Sequence, residues 1–299
     1  MVAGAAFLWG TLGLYARFLY AEGLSVETVV FYRALFSLLG SATWAAAIDR
    51  RLLRVRPGDL PFFALYGLVS VTAFYLLYFR TIRETTVAMA AVLLYTAPAF
   101  VILLARALYR EPLTPWKLAA LGVALPGVVL VSDPLDPGTS VTPLGVALGL
   151  ASGLTYALYS IFAKRALRGY RPPTVVLYSV TFGTAFLLAA SPPWELEWSF
   201  HPRVWAVLVA VGLVPTTVAF MLYSSGLSRL EAGVASIVAT VEPVFAAVSA
   251  YLFLGETLTG AQAAGGALVL LGAVLAACGE WGRARRGPAR GIVRAGVEA

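Results

Sequence analysis

The chain contains one stretch of sequence twice, in copies that begin 145 residues apart. Residues 91–114 read AVLLYTAPAFVILLARALYREPLT, and residues 236–259 read SIVATVEPVFAAVSAYLFLGETLT. Each copy holds a proline inside an apolar run, Pro98 in the first and Pro243 in the second, and each closes on Glu-x-Leu-Thr. Because the period is nearly half the chain, the repeat predicts two copies of one unit rather than a solenoid of short repeats.

Composition restricts the chain to one environment. Of its 299 residues, 60% are hydrophobic and 12% are charged, and the mean hydropathy is +0.83. Soluble domains have about a quarter of their residues charged, so a water-covered surface cannot be built from this sequence. We therefore expect an all-α integral membrane protein. Since a spanning helix needs roughly 20 apolar residues, the chain has room for about ten.

The apolar runs place the spans along the chain. We predict them at about Val2–Tyr20, Ser25–Ala47, Asp59–Phe79, Thr85–Tyr109, Leu113–Ser132, Thr142–Leu167, Pro172–Ser191, Arg203–Leu227, Glu231–Leu254 and Thr257–Gly279. No basic segment precedes the first run, so we expect a retained helix rather than a cleaved signal peptide.

The repeat continues well beyond the opening stretch. Matching residues keep an offset of 145 to 147 over five helices, as in Thr28-Val29-Val30 with Thr174-Val175-Val176, Gly67 with Gly212, Phe36 with Phe182, and Ala16-Arg17 with Ala163-Lys164. Five spans is an odd number, so the second copy enters the membrane upside down, which is a transporter architecture. We expect one repeat at 1–135, an inverted repeat at 136–280, and a basic cytoplasmic tail at 281–299. Composition predicts disorder for Arg283–Ala299.

The basic residues predict the orientation. With a cytoplasmic N-terminus, 17 of the 22 Lys and Arg residues fall on the cytoplasmic side, four fall outside, and Arg33 lies within a span. Positive charge on short loops faces the cytoplasm, so both termini are expected there. The net charge of +7 is read in the same way, not as a nucleic-acid surface.

Residues in fixed order along both halves resemble one known family. They are Trp9-Gly10, Arg33-Ala34, Pro98, Tyr156-Ala157, Pro243 and Gly255-Glu256 with Leu258-Thr259. The chain is similar in these to the EamA-type members of the drug/metabolite transporter superfamily. The resemblance implies ten helices, a central cavity, a bacterial-type plasma membrane location and export of small metabolites, often amino acids. Two residues depart from the pattern: Arg110 stands where the second copy has Gly255, and Tyr156 stands where Trp is common.

Two charged residues within the spans are candidates for the transport site. Polar groups exposed to lipid are costly, so such residues usually face other helices or a cavity. Glu242 is predicted to carry a proton or to bind a substrate amine, or else to be a structural acid beside Pro243. Arg33 is predicted to bind a substrate anion, to pair with Glu242, or to serve packing and topology.

Aromatic and proline residues add to this candidate site. The core spans contain many aromatics, of which Trp9, Tyr95, Tyr156 and Tyr159 are predicted to bind substrate, because aromatic faces with one polar tip suit mixed ligands. Pro98 and Pro243 remove backbone hydrogen bonds and are predicted to be conformational hinges, or static kinks. Glu111 and Glu256 are interpreted as turn or helix-start residues.

Small residues gather in the last span of each half. They are Gly122, Gly127, Gly260, Gly265, Gly266 and Gly272. Such residues permit close helix approach. They favour packing within one chain or, alternatively, a homodimer through the fifth and tenth spans.

The sequence thus predicts a secondary transporter that exports small organic metabolites by alternating access, with proton coupling at Glu242. No phosphate-binding loop, metal cluster or catalytic triad is visible, so no cofactor, metal, enzymatic activity or nucleic-acid partner is expected. An uncoupled facilitator and a drug or osmolyte exporter are alternatives within transport. A membrane enzyme or a sensor scaffold is the alternative outside it.

The predicted orientation can be tested with introduced cysteines. In a Cys278→Ser background, Ser199→Cys lies in the segment Pro192–Pro202, which is expected outside, and should react with an impermeant thiol reagent in intact cells. Gly169→Cys lies in a predicted cytoplasmic loop and should stay unlabelled until the cells are opened. The reverse labelling pattern would overturn the orientation.

Overall fold

The computed structural model describes residues 1–132, 142–190 and 201–286 apart from 256 and 258, with side chains described as far as 281. The described part of the chain contains ten helices that are long and apolar enough to cross a membrane, as predicted. They are α1 (Val2–Ala21), α2 (Val26–Ile48), α3 (Pro57–Glu84), α4 (Val87–Tyr109), α5 (Pro115–Ser132), α6 (Pro143–Ala166), α7 (Pro172–Ala190), α8 (Pro202–Leu227), α9 (Ala232–Leu254) and α10 (Gly260–Arg286, apolar as far as Trp281). A 3-10 turn at Arg50–Leu53 lies between α2 and α3.

Local sequence explains where the helices begin. Five of them start on a proline, whose missing N–H costs nothing at the first position. Two other helices, α2 and α4, begin after the N-cap residues Ser25 and Thr86, and α6 combines a proline with the N-cap Thr142. Each of these three side chains accepts a hydrogen bond from the backbone N–H three residues ahead.

Two helices run further than their apolar segments. α3 ends at Glu84 instead of Phe79, because Thr81 is buried and the Arg83 guanidinium pairs with the Glu27 carboxylate at 2.8 Å. α10 continues to Arg286, so it extends into the segment Arg283–Ala299 for which disorder is predicted. The rest of that segment, and Ser199 with most of Pro192–Pro202, lie outside the described residues.

The fourth helix of each half is interrupted at equivalent positions. α4 consists of Val87–Leu94 and Ala97–Tyr109, and α9 consists of Ala232–Ala239 and Glu242–Leu254. Every boundary repeats at an offset of 145. In both cases the second segment begins one residue before the proline, where a missing N–H is tolerated.

The third helix of each half contains a π-helical turn at the same offset. Leu68–Ala73 forms it in α3, and Leu213–Val218 forms it in α8. π-turns are rare and concentrate at functional sites, so their repetition at equivalent positions identifies a feature of the fold. The first helices differ, because α1 is interrupted at Thr11 whereas α6 is one continuous helix.

Contacts between helices repeat in the same pairs. A Cβ atom on Gly67 in α3 would lie 2.6 Å from the Phe182 Cβ in α7, and one on Gly212 in α8 would lie 2.5 Å from the Phe36 Cβ in α2. Because Gly67 matches Gly212 and Phe36 matches Phe182, these are one contact made twice. The fold is two inverted five-helix repeats.

Hydrogen bonds between helices repeat in the same equivalent pairs. The Thr217 hydroxyl in α8 lies 3.0 Å from the Ser37 hydroxyl in α2, and the Thr72 hydroxyl in α3 donates to the Gly183 carbonyl in α7 at 3.1 Å. α3 therefore packs on α7 as α8 packs on α2.

The fifth helices of the two halves pack against each other. A Cβ on Gly127 in α5 would be 2.7 Å from the Gly265 carbonyl oxygen in α10, and one on Gly272 would be 2.8 Å from the Ala120 carbonyl oxygen. These glycines therefore serve packing within the chain, as small residues do between membrane helices. Gly122 and Gly260 would meet nothing within 4 Å. The homodimer through α5 and α10 stays a prediction.

The turn after each fourth helix requires a left-handed residue. Arg110 has φ +57° and Gly255 has φ +70°, at equivalent positions. Glycine adopts this conformation without steric cost, whereas arginine does not. The arginine that departs from the repeat therefore leaves the hairpin geometry unchanged, at the cost of local strain.

The glycine contact between α5 and α10 predicts a stability difference within one helix. Gly127→Ala should lower the melting temperature in detergent, since overpacking against backbone costs about 1–3 kcal/mol. Gly122→Ala is the matched control, because a Cβ atom on Gly122, in the same helix, would meet nothing within 4 Å. It should be neutral or stabilising by about 0.5–1 kcal/mol. Equal melting temperatures for both variants would contradict the packing.

Candidate functional site

The interruptions in α4 and α9 each face the first helix of the opposite repeat. A Cβ on Gly10 in α1 would lie 2.7 Å from the Phe245 Cβ and 3.0 Å from the Glu242 carbonyl oxygen. A Cβ on Gly153 in α6 would lie 2.7 Å from the Thr96 hydroxyl and 2.9 Å from the Leu93 carbonyl oxygen. Only a residue without a side chain allows these crossings. The two glycines bring α1 against the break in α9 and α6 against the break in α4.

Glu242 is the first residue of the second segment of α9. The positive end of a helix dipole favours a negative charge, so this position suits a carboxylate even in the apolar interior. The Tyr95 hydroxyl, from the break in α4, and the Arg33 guanidinium both lie near the Glu242 carboxyl group. Glu242 is only partly buried, which leaves it open to a ligand.

Arg33 in α2 is held by the π-turn of α8. Its Nε–H donates to the Thr216 hydroxyl at 2.8 Å, and that hydroxyl donates to the Val211 carbonyl at 2.7 Å. The guanidinium also lies 5.4 Å from the centre of the Tyr75 ring, within cation–π range. These contacts fix the orientation of a charged side chain that is partly buried among helices.

Tyr156 in α6 separates two small cavities at the centre of the molecule. One, of about 30 Å³, is lined on its polar side by Arg33, Ser70, Tyr75, Tyr159 and Thr216. The other, of about 20 Å³, is lined on its polar side by Tyr95, Ser160, Tyr223, Ser236 and Thr240. Each has room for about one water molecule. Neither cavity alone is large enough for a whole metabolite.

A group of aromatic side chains, Trp9, Tyr66, Tyr159 and Tyr223, lies next to the two cavities. Trp9 is 5.4 Å from Tyr223 and Tyr66 is 5.2 Å from Tyr159, measured between ring centroids. These four side chains are at most 4% exposed, whereas Arg33, Tyr75, Tyr78, Tyr156 and Glu242 are each partly accessible. These four residues therefore form a closed aromatic group, distinct from the five partly accessible residues.

The structure brings most of the sequence-predicted residues together. Arg33, Tyr95, Tyr156, Tyr159 and Glu242 meet at the two cavities and the adjoining helix break. Trp9 joins the closed aromatic group instead. Pro98 lines the smaller cavity and Pro243 is buried beside Glu242. Their roles in transport stay predictions.

Thr216 and Ser70 are cavity residues that the sequence reasoning missed. Both are buried hydroxyl residues inside apolar spans, and that polar character was the available signal. Both residues lie within the π-turns, which periodicity along the sequence does not reveal.

Glu111 has a different role from a simple turn residue. Its carboxylate accepts hydrogen bonds from the backbone N–H groups of Ala232 at 2.8 Å and Gly233 at 3.3 Å, so it caps α9. Lys117, which is 3% exposed, lies 3.5 Å from Glu111 and also pairs with Glu231. This network joins the α4–α5 connection to the start of α9. Glu256, its counterpart in the second repeat, lies outside the described residues.

Comparison with known proteins gives consistent matches over nearly the whole chain. An uncharacterized transporter of Archaeoglobus fulgidus is 34% identical over 91% of this chain and 93% of its own. The threonine/homoserine exporter RhtA of Escherichia coli is 32% identical over 71% of this chain and 68% of its own. A probable terminal-alkyne amino-acid exporter of Streptantibioticus cattleyicolor is 28% identical over 85% of this chain and 84% of its own.

A solved structure shares the fold at lower identity. It superposes with a TM-score of 0.81 at 20% identity, covering 94% of this chain and 97% of that chain. The EamA-like transporter family matches residues 1–133 and again residues 143–278, once for each half. The chain is thus a multi-pass membrane protein and belongs to the EamA-like transporter family.

Proposed function

We propose that this transporter exports amino acids or closely related small metabolites by alternating access. One observation carries the proposal: the carboxyl group of Glu242 and the guanidinium of Arg33, one from each repeat, lie close enough for their opposite charges to interact. Amino acids carry one group of each charge. The relatives named for amino-acid export support the same substrate class.

The two charges divide the ligand between them. The substrate ammonium group binds at Glu242 with the Tyr95 hydroxyl beside it, and the substrate carboxylate binds at Arg33. The rings of Tyr75 and Tyr156 provide apolar contact for the side chain. Arg33 retains its orientation without substrate because Thr216 holds its Nε.

Proton coupling follows from competition at one carboxylate. Glu242 carries a proton when the site holds no substrate. The substrate ammonium group displaces that proton when it binds. If the proton enters from outside and the substrate from the cytoplasm, the proton gradient drives export.

Alternating access uses the two repeats, 1–135 and 136–280, as the moving units. We propose cytoplasmic termini in a bacterial-type inner membrane, which sets the aromatic group of Trp9, Tyr66, Tyr159 and Tyr223 on the cytoplasmic side of Glu242. This group would then be the closed inner gate. The protein acts without catalysis, as a monomer or as a homodimer that uses surfaces beside the α5–α10 contact.

The proposed function is tested by flux. Proteoliposomes loaded with radiolabelled L-threonine should release it faster with the protein than without, and cells that express the protein should tolerate toxic amino-acid analogues better. L-homoserine should compete. If no amino acid in a panel of twenty is moved or competes, the proposed substrate class is wrong.

Glu242→Gln should abolish proton-driven transport, because the amide keeps the shape of the protonated acid and cannot release a proton. With an imposed pH gradient, the variant should no longer concentrate L-threonine, and any remaining exchange of threonine for threonine should not change with pH. Glu22→Gln, in the exposed α1–α2 connection, is the control and should behave as the parent. Accumulation by Glu242→Gln against the gradient would show that coupling resides elsewhere.

The prolines are predicted to ease bending at the two breaks. Pro98→Ala and Pro243→Ala restore a backbone donor in the first turn and should stiffen α4 and α9. Turnover should fall several-fold while the Kd for L-threonine changes less than twofold, because opening steps often limit transport cycles. Parent-like turnover in both variants would leave the prolines as static kinks.

A further inference from the structure

The cavity beside Arg33 is lined mainly by apolar side chains, and its polar groups are one guanidinium and several hydroxyls. Of about 30 Å³, it is lined by Ser70 and Tyr75 from α3, Tyr159 from α6, and Thr216 from α8. Arg33 supplies the positive charge, and the Ser70, Tyr75 and Tyr159 hydroxyls can donate a hydrogen bond, whereas the Thr216 hydroxyl already donates to the Val211 carbonyl. No Asp or Glu is among the residues that line it. A cavity of donors around a guanidinium suits an anion.

Two of these hydroxyl groups are buried without a partner. The Ser70 and Tyr159 hydroxyls make no hydrogen bond within the described part of the chain, although each residue is only 4% exposed. The Tyr66, Ser179 and Ser224 hydroxyls lie near the Tyr159 hydroxyl, but none of them has the geometry of a hydrogen bond with it. A buried hydroxyl group without a partner is costly, and such groups in native proteins point to a bound ligand or water.

Arg33 is arranged to leave its outer donors for that ligand. Its Nε–H is used by Thr216, and its flat face lies against Tyr75. The two terminal nitrogens remain as a planar pair of donors, which matches the two oxygens of a carboxylate.

We infer that Ser70 and Tyr159 complete, with Arg33, a receptor for the substrate carboxylate, and that the transporter therefore selects amino acids against amines that lack a carboxylate. The inference rests on the proposed function and makes it more specific. The cavity admits one small group, so the carboxylate enters it while the ammonium group extends past Tyr156 towards Glu242.

The two halves of the chain explain why the receptor is built on one side only. At equivalent positions, Arg33 corresponds to Ser179 and Ser70 corresponds to Pro215. The pseudo-symmetric location thus lacks both the guanidinium and the serine hydroxyl. One orientation of a zwitterion is favoured, with its anionic end at α2 and its cationic end at α9.

The test compares L-threonine with L-threonine amide, which keeps the ammonium group and loses the negative charge. The parent should bind the acid far more tightly than the amide, measured by competition in proteoliposomes. Ser70→Ala and Tyr159→Phe should each weaken acid binding about tenfold and leave amide binding within twofold, since a hydrogen bond to a charged group is lost.

Thr184→Val is the matched control. Thr184 is also a buried hydroxyl without a partner, 6% exposed, but it does not line the cavity. This variant should keep the acid-to-amide ratio of the parent. Equal melting temperatures for the variants would exclude a general loss of structure.

The outcomes separate the two proposals. If the parent transports L-threonine but both site variants weaken acid and amide equally, or not at all, the carboxylate receptor is wrong and the proposed function stands. If the parent takes neither L-threonine nor any other amino acid in the panel, the proposed function is wrong, and the receptor with it.

Discussion

The breaks in α4 and α9 determine the chemistry of the centre. A helix interrupted within a membrane exposes backbone groups that lipid cannot satisfy, so protein must surround them. Here the Thr96 and Thr240 hydroxyls each donate to a carbonyl of the preceding segment at 2.6 Å, and Gly10 and Gly153 let α1 and α6 close over the breaks. The second segments then present their N-termini to the interior, where negative charge is favoured. The polar site follows from this arrangement.

We propose that transport depends on residues at which the two repeats differ. The backbone breaks, the π-turns and the left-handed turn residues recur at one offset, yet Glu242 corresponds to Ala97 and Arg33 to Ser179. The symmetric backbone allows two related packings of the halves. The unequal side chains give the site a direction, because the acid and the base each occur on one repeat alone.

Much of this fold could be predicted from the sequence. The constant offset, apolar run lengths and prolines predicted ten spans, inverted repeats and both interruptions, and long charged residues in apolar runs identified Arg33 and Glu242. The π-turns could not be predicted, since the sequence period does not distinguish them from α-helix. The roles of Thr216, Ser70 and the Glu111 cap depend on contacts between distant segments, which local patterns do not specify.

Alternating motion of the two repeats is the central claim, and distances between spin labels test it most directly. In a Cys278→Ser background, one pair joins Glu22→Cys to Phe253→Cys at one end, and its symmetric counterpart joins Arg168→Cys to Leu108→Cys at the other. All four positions are exposed. Electron paramagnetic resonance with and without saturating L-threonine should show one distance lengthen as the other shortens. Distances that stay fixed, or change together in one direction, while the labelled protein still transports would contradict the account.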